Sequence, residues 1–399
     1  MQFTRGRIIG IACGFATVWL AGCGGSGSHK AAINNNSAPL VVNAGPANNY
    51  ANGLFTTVTI CAPGTSNCQA VSGVLVDTMS YGVRILASAI PSVNNALAQQ
   101  KDANGSSVAE CAQFSDGITW GPVKKADVKI AGEEAAGIPI QVIGDSAFSA
   151  VPAGCSSAGS PEDSLQSLGA NGILGIGPFV QDCPACAPGT TNNQNFYYAC
   201  AGSSCSVTTV GLPDQVQNPV AAFSVDNNGI LVELPAASSS AVSLNGSLTF
   251  GIGTQTNNSL RNAQVYTINP NTGNISTTFK TKSYQSFLDT GSNAYFFLDS
   301  AATGMPTCPS PADGFYCPAT LTNLSATNTG SNNASGSISF SIDNANTLFS
   351  NATASVFPTL GGPNTGTFDW GLPFFYGRSV FVAIEGATTA GGPGPYWAY

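Results

Sequence analysis

Short apolar and polar runs, few longer than a single strand, fill this chain from Gly53 onward. Phe55-Thr56-Thr57-Val58-Thr59-Ile60 alternates with the period of two that lays one face of a strand on a core. An apolar strand runs from Val71 to Val76 and ends at Asp77. Residues 123–143 predict two or three strands, with turns at Gly132 and Gly137. In the second half, Ser247-Leu248-Thr249-Phe250-Gly251 ends a strand and Val265-Tyr266-Thr267-Ile268 alternates. Ser286-Phe287-Leu288 leads into Asp289, and the aromatic-rich stretch 374–385 predicts a final buried strand. Helix signals are few. Ser160 as N-cap, Pro161 in the first turn and Gly169 as a stop predict one short helix, and 92–100 predicts another. A Cys- and Asn-rich insertion occupies residues 181–215. The pattern is that of a mainly β protein.

The first 22 residues break this pattern. Arg5 and Arg7 precede an apolar run from Ile8 to Ala21, the layout of a secretory signal peptide. The run falls short of the roughly 20 apolar residues a membrane-spanning helix needs. Residues 24–50 are rich in Gly, Ser and Asn and predict a flexible tether, spanning about 30 Å on average. The remainder is long enough for two lobes, divided near residue 258 into 51–258 and 259–399.

Charge and cysteine content narrow the function. Charged residues make up only 8% of the chain, with net charge −8 and no basic block, so the clustered cations that bind nucleic acid are missing. Apart from Cys13 in the leader and Cys23 at its end, ten cysteines remain, an even number suited to disulfides in an oxidising compartment. Cys61/Cys68 and Cys308/Cys317 are close enough for local pairs. Connectivity within Cys183, Cys186, Cys200 and Cys205 is open, and their spacing also admits a zinc knuckle, which the exported setting disfavours. The single histidine, His29, lies in the tether. A Ser-His-Asp triad, a Cys-His pair or a His-based metal site is therefore excluded from the body, and acid–base chemistry falls to carboxylates.

Two segments repeat one design. Val74-Leu75-Val76-Asp77-Thr78-Met79-Ser80 and Ser286-Phe287-Leu288-Asp289-Thr290-Gly291-Ser292 each run an apolar strand into Asp-Thr-x-Ser, one lobe's length apart. Here the chain resembles the pepsin-like aspartic proteases, a resemblance that spans roughly residues 52–399. It implies a two-lobed fold with a cleft between the lobes, Asp77 and Asp289 as the catalytic pair, Ser80 and Ser292 on their outer oxygens, and Thr78, Thr290 and Gly291 supporting the loops. Ile173-Leu174-Gly175 and Trp370-Gly371-Leu372 resemble the segments that cross behind each loop in that family. Phe114 to Gly121 stands where the family has its flap, making Phe114 and Trp120 cleft candidates. Leu20-Ala21-Gly22-Cys23 resembles the lipobox of bacterial lipoproteins, which implies a lipid on Cys23 and, with Gly24 rather than Asp next, an outer-membrane anchor. The whole chain also resembles a group of uncharacterised bacterial lipoproteins with paired Asp-Thr-Gly-Ser loops.

Two close carboxylates cannot both ionise readily, so such a pair shares a proton and supplies both acid and base. The expected ligand is a peptide or protein in the cleft, acted on by a monomer without metal or cofactor. The family pattern is broken at Met79, where glycine is usual, and at Phe114, which lacks the hydroxyl of the family's flap tyrosine. If position 79 required a positive φ, Met would strain the loop. Arg84, seven residues past Asp77, is expected at the surface. These departures motivate an alternative: an inactive pepsin-like lipoprotein that binds a peptide, glycan or protein in its cleft, for which the plant xylanase inhibitors are a precedent.

Overall fold

The structure, a computed structural model, describes residues 36–191 and 193–399. The leader, Cys23 and His29 lie outside the described residues. Among the described residues no helix is long and apolar enough to cross a membrane.

The chain is mainly β, in a 16-stranded sheet and a 7-stranded sheet with a small two-stranded ribbon. The strand Cys68–Asp77 lies parallel to Gly172–Ile176, which in turn lies antiparallel to Tyr81–Leu86. The segment after Asp77 therefore loops over the strand that crosses behind it. The second half repeats this arrangement. Lys282–Leu288 lies parallel to Asn364–Trp370, which lies antiparallel to Tyr295–Leu298. All six strands are buried at or near the loop end, mostly through apolar side chains, which is why much of their sequence reads as apolar runs.

The halves do not separate cleanly at residue 258. The 7-stranded sheet is built from strands between Ile275 and Trp370. Arg378–Ala383 and Tyr396–Ala398 then return to the large sheet, pairing through Gly229–Leu234. Asn52 ties the halves further. Its side chain donates to the carbonyls of Asn293 (2.8 Å) and Phe357 (2.9 Å) and accepts from Phe357 N and the Tyr376 hydroxyl, both 2.7 Å.

Three local expectations need correction. The tether does not extend to residue 50: Ser37–Asn43 is a strand paired on both edges, with Leu244–Phe250 and Gly53–Cys61, burying Ala38, Leu40 and Val42. No helix starts at Ser160. The backbone of Ser160 and Glu162 instead hydrogen-bonds Ile118, and the helix is one turn, Leu165–Leu168, capped by Ser164 and stopped at Gly169 with φ +73°. The stretch 92–100 holds a 3₁₀ turn, Asn94–Ala96, and a two-residue strand. The local disulfides form as expected, and the remaining pairs are Cys111–Cys155, Cys183–Cys186 and Cys200–Cys205, so these four insertion cysteines make no zinc knuckle.

Candidate active site

The two Asp-Thr-x-Ser loops meet back to back through four reciprocal hydrogen bonds. The Thr78 hydroxyl donates to Leu288 O (2.9 Å), and the Thr290 hydroxyl donates to Val76 O (2.7 Å). Each threonine's backbone N–H then donates to the other's hydroxyl oxygen, at 3.2 and 3.0 Å. Each hydroxyl has one proton and spends it across the interface, so neither loop completes its bonding without the other.

Above this brace the carboxyl groups of Asp77 and Asp289 face one another around Gly291. A methyl group placed on Gly291 would lie 2.8 Å from Asp77 Cγ and 3.1 Å from Asp289 Oδ1, so nothing larger than glycine fits there. Asp77 Oδ1 accepts from the backbone of Met79 (2.8 Å) and Ser80 (3.0 Å), and its Oδ2 accepts from the Ser80 hydroxyl (2.7 Å). Asp289 Oδ1 accepts from Gly291 N (2.8 Å), and its Oδ2 faces the Ser292 hydroxyl at 2.9 Å. Burial, then the nearby Asp77 and Asp369, push the Asp289 carboxyl well above the usual range.

Met79 causes no backbone strain, since neither it nor Gly291 has a positive φ. Its N–H occupies the same place toward Asp77 as that of Gly291 toward Asp289. Its side chain is buried and helps line a cavity of about 590 Å³ beside the pair. Ser80, Tyr81, Phe114 and Phe179 line the same cavity, together with Pro270, Asn271, Thr272 and Glu385. Tyr81 was missed in the sequence. Burial, then the carboxylates of Asp77, Glu385 and Asp289, push its phenol well above the usual range, which puts a protonated hydroxyl within their field.

Phe114 sits at the tip of the hairpin formed by Ser107–Gln113 and Ile118–Ile130 and faces the cavity. Trp120 does not. It packs edge-on against Tyr198, with centroids 5.3 Å apart, and its indole N–H donates to Phe148 O at 2.7 Å. It therefore stands in for no flap hydroxyl. Arg84 is also not at the surface. It is 2% exposed, pairs with Glu110 and Asp182, and donates to Tyr81 O at 2.7 Å. Burial opposes its charge, but the two carboxylates outweigh burial and hold it protonated. Glu110 lies on the flap strand, so this ion pair also fastens the flap to the strand Tyr81–Leu86, which follows the Asp77 loop.

The site contains a third carboxyl that the sequence pattern hid. Asp369 Oδ2 lies 2.5 Å from the Ser292 hydroxyl, on the strand crossing behind the second loop. It is 2% exposed, and burial pushes its carboxyl well above the usual range, as does the charge of Asp77.

Residues 32–399 match the family described as "Protein of unknown function (DUF3443)", and the chain belongs to that family. No curated protein matches it. Among solved structures, the chain is similar to the aspartic proteinase from Irpex lacteus, with TM-score 0.51 and 16% identity over 91% of this chain and 96% of the other. That likeness establishes a pepsin-like fold.

Proposed function

We propose that this member of the DUF3443 family is an exported, lipid-anchored aspartic endopeptidase that uses Asp77 and Asp289 to activate water. The observation that carries the reading is the meeting of the two carboxyls at Gly291 above the reciprocal threonine brace. Asp289 holds the shared proton, and Asp77, facing three hydrogen-bond donors, accepts a proton from the attacking water. The water oxygen adds to the peptide carbonyl carbon as Asp289 protonates the carbonyl oxygen, giving a tetrahedral diol. The C–N bond then breaks as Asp77 returns its proton to the leaving nitrogen and Asp289 recovers one from the diol. The cavity lined by Met79, Tyr81, Phe114 and Phe179 receives a substrate side chain beside the bond that breaks.

The full chain, incubated with a denatured protein at pH 3–6, is expected to cleave it. Asp77→Asn and Asp289→Asn each lower the rate by about 10²–10⁴-fold. Cleavage no faster than that of Asp289→Asn refutes the reading. Ligand retention in the cleft by a double Asn variant, without cleavage by the wild type, would instead establish the binding alternative. Anchoring at the cell envelope, with the outer membrane favoured, rests on the leader and Cys23. It predicts fatty-acid labelling of the wild type and none of Cys23→Ser.

A further inference from the structure

The two halves share this strand pattern, but one position of the crossing strand changes from apolar to acidic. In the first half Leu75 pairs in register with Ile173, and Asp77 with Gly175. In the second, Phe287 pairs with Asp369 and Leu288 with Trp370, ahead of Gly371. A carboxyl thus stands where the other half has an isoleucine. It reaches the active pair through one hydroxyl: Ser292 Oγ is 2.5 Å from Asp369 Oδ2 and 2.9 Å from Asp289 Oδ2. The other Asp369 oxygen is buried without a hydrogen-bond partner.

We propose that Asp369 is a positioning residue that, through Ser292, keeps Asp289 protonated to higher pH and so extends the working range of the pair toward neutrality. A serine hydroxyl has one proton to give to two carboxyls. While Asp369 is protonated it donates to Ser292 Oγ, and Ser292 donates to Asp289 Oδ2. Once Asp369 ionises, the hydroxyl turns to it. Asp289 then loses a donor that favours its ionised form and gains a negative neighbour. Both changes tighten Asp289's hold on its own proton. The other groups near Asp369 do not oppose this. Asp77 adds negative charge from the facing loop, and the register partners Phe287 and Phe296 are uncharged. Tyr295, next along the neighbouring strand, is pushed up to about 12, chiefly by burial, and stays neutral throughout.

The inference rests on the peptidase reading for its kinetic test and not for its spectroscopic one. In Asp369→Asn the amide donates permanently to Ser292 without charge, which fixes the acid-form arrangement. Its alkaline limb of kcat/KM against pH is expected to fall at least about one pH unit below that of the wild type. Asp369→Leu, which lacks both charge and donor, moves the limb the same way. A limb that stays in place while the rate drops equally at every pH shows a merely structural residue and overturns the proposal, as does a limb that moves up. Difference infrared spectra of the full chain follow, without any turnover, the carbonyl band that Asp289→Asn removes. That band is expected to vanish at lower pH in Asp369→Asn than in the wild type, and vanishing at equal or higher pH overturns the proposal. A wild type that shows the infrared shift but cleaves nothing refutes the peptidase reading alone.

Discussion

At the residue scale, the site depends on very few atoms. Met79 supplies the N–H that Asp77 needs, and its buried side chain lines the cavity beside the pair. Met79→Gly is expected to raise kcat/KM on a denatured protein while lowering stability by about 2–5 kcal/mol, the usual range for emptying a buried Met site. A chemical-denaturation midpoint together with initial rates checks both parts. Thr290→Val removes a hydroxyl that donates to Val76 O and accepts from Thr78 N. It leaves both groups buried and is expected to cost about 2–4 kcal/mol and most of the activity. Sequence alone exposed Asp77 and Asp289 because each follows an apolar strand and begins the same short motif. Arg84 was illegible because its partners Glu110 and Asp182 lie 26 and 98 residues away. Asp369 left one faint signal, a lone carboxylate between Phe368 and Trp370 in an otherwise apolar stretch.

At the element scale, the flap is the departure from expectation. Its first strand, Ser107–Gln113, pairs with Ile118–Ile130 on one edge and Tyr197–Ala201 on the other. The Cys-rich insertion thus supplies strands that cover what would otherwise be a free edge. Cys111, on the same strand, is disulfide-bonded to Cys155. Replacing both with Ala is expected to cost about 4 kcal/mol by the chain-entropy estimate for a loop of this length, and to speed amide exchange at 107–117. Unchanged exchange there would show that strand pairing alone fixes the hairpin. The strand Ser37–Asn43 was hidden by its neighbours' composition, although Ala38, Leu40 and Val42 carry the period-two signal. The expected helix at Ser160 failed because local capping preference is weaker than pairing with the flap strand through Ile118.

At the scale of the whole molecule, buried carboxyls dominate the response to pH. Asp289, Asp369 and Asp182 all have pKa values raised well above the usual range, chiefly by burial. A carboxyl whose pKa is higher folded than unfolded contributes stability that is complete below its unfolded pKa and is lost as pH rises through its folded pKa. Asp145, held down by Lys124 and by donors from Ala147 and Asn94 despite its burial, works the other way. The balance predicts a protein more stable in mild acid than at neutral pH, read as a urea midpoint that falls between about pH 4 and pH 8. Asp369→Asn should flatten that slope. The two-lobed plan was legible because it is written twice in the sequence. The return of Arg378–Ala383 and Tyr396–Ala398 to the large sheet was not, because nothing local to an apolar strand names its partner.

The flap strand, hemmed on both edges, also governs what such a peptidase admits. A lid that swings can close over a bulky loop on an intact protein. A roof held by strands, an ion pair and a disulfide would open less, and on the proposed peptidase reading it would favour an extended polypeptide over a bulky loop. Selectivity would then come less from which side chains a target displays than from whether it has already lost its own fold. If the proposed peptidase activity holds, the protein would act as a scavenger of slack chains and spare its well-folded neighbours.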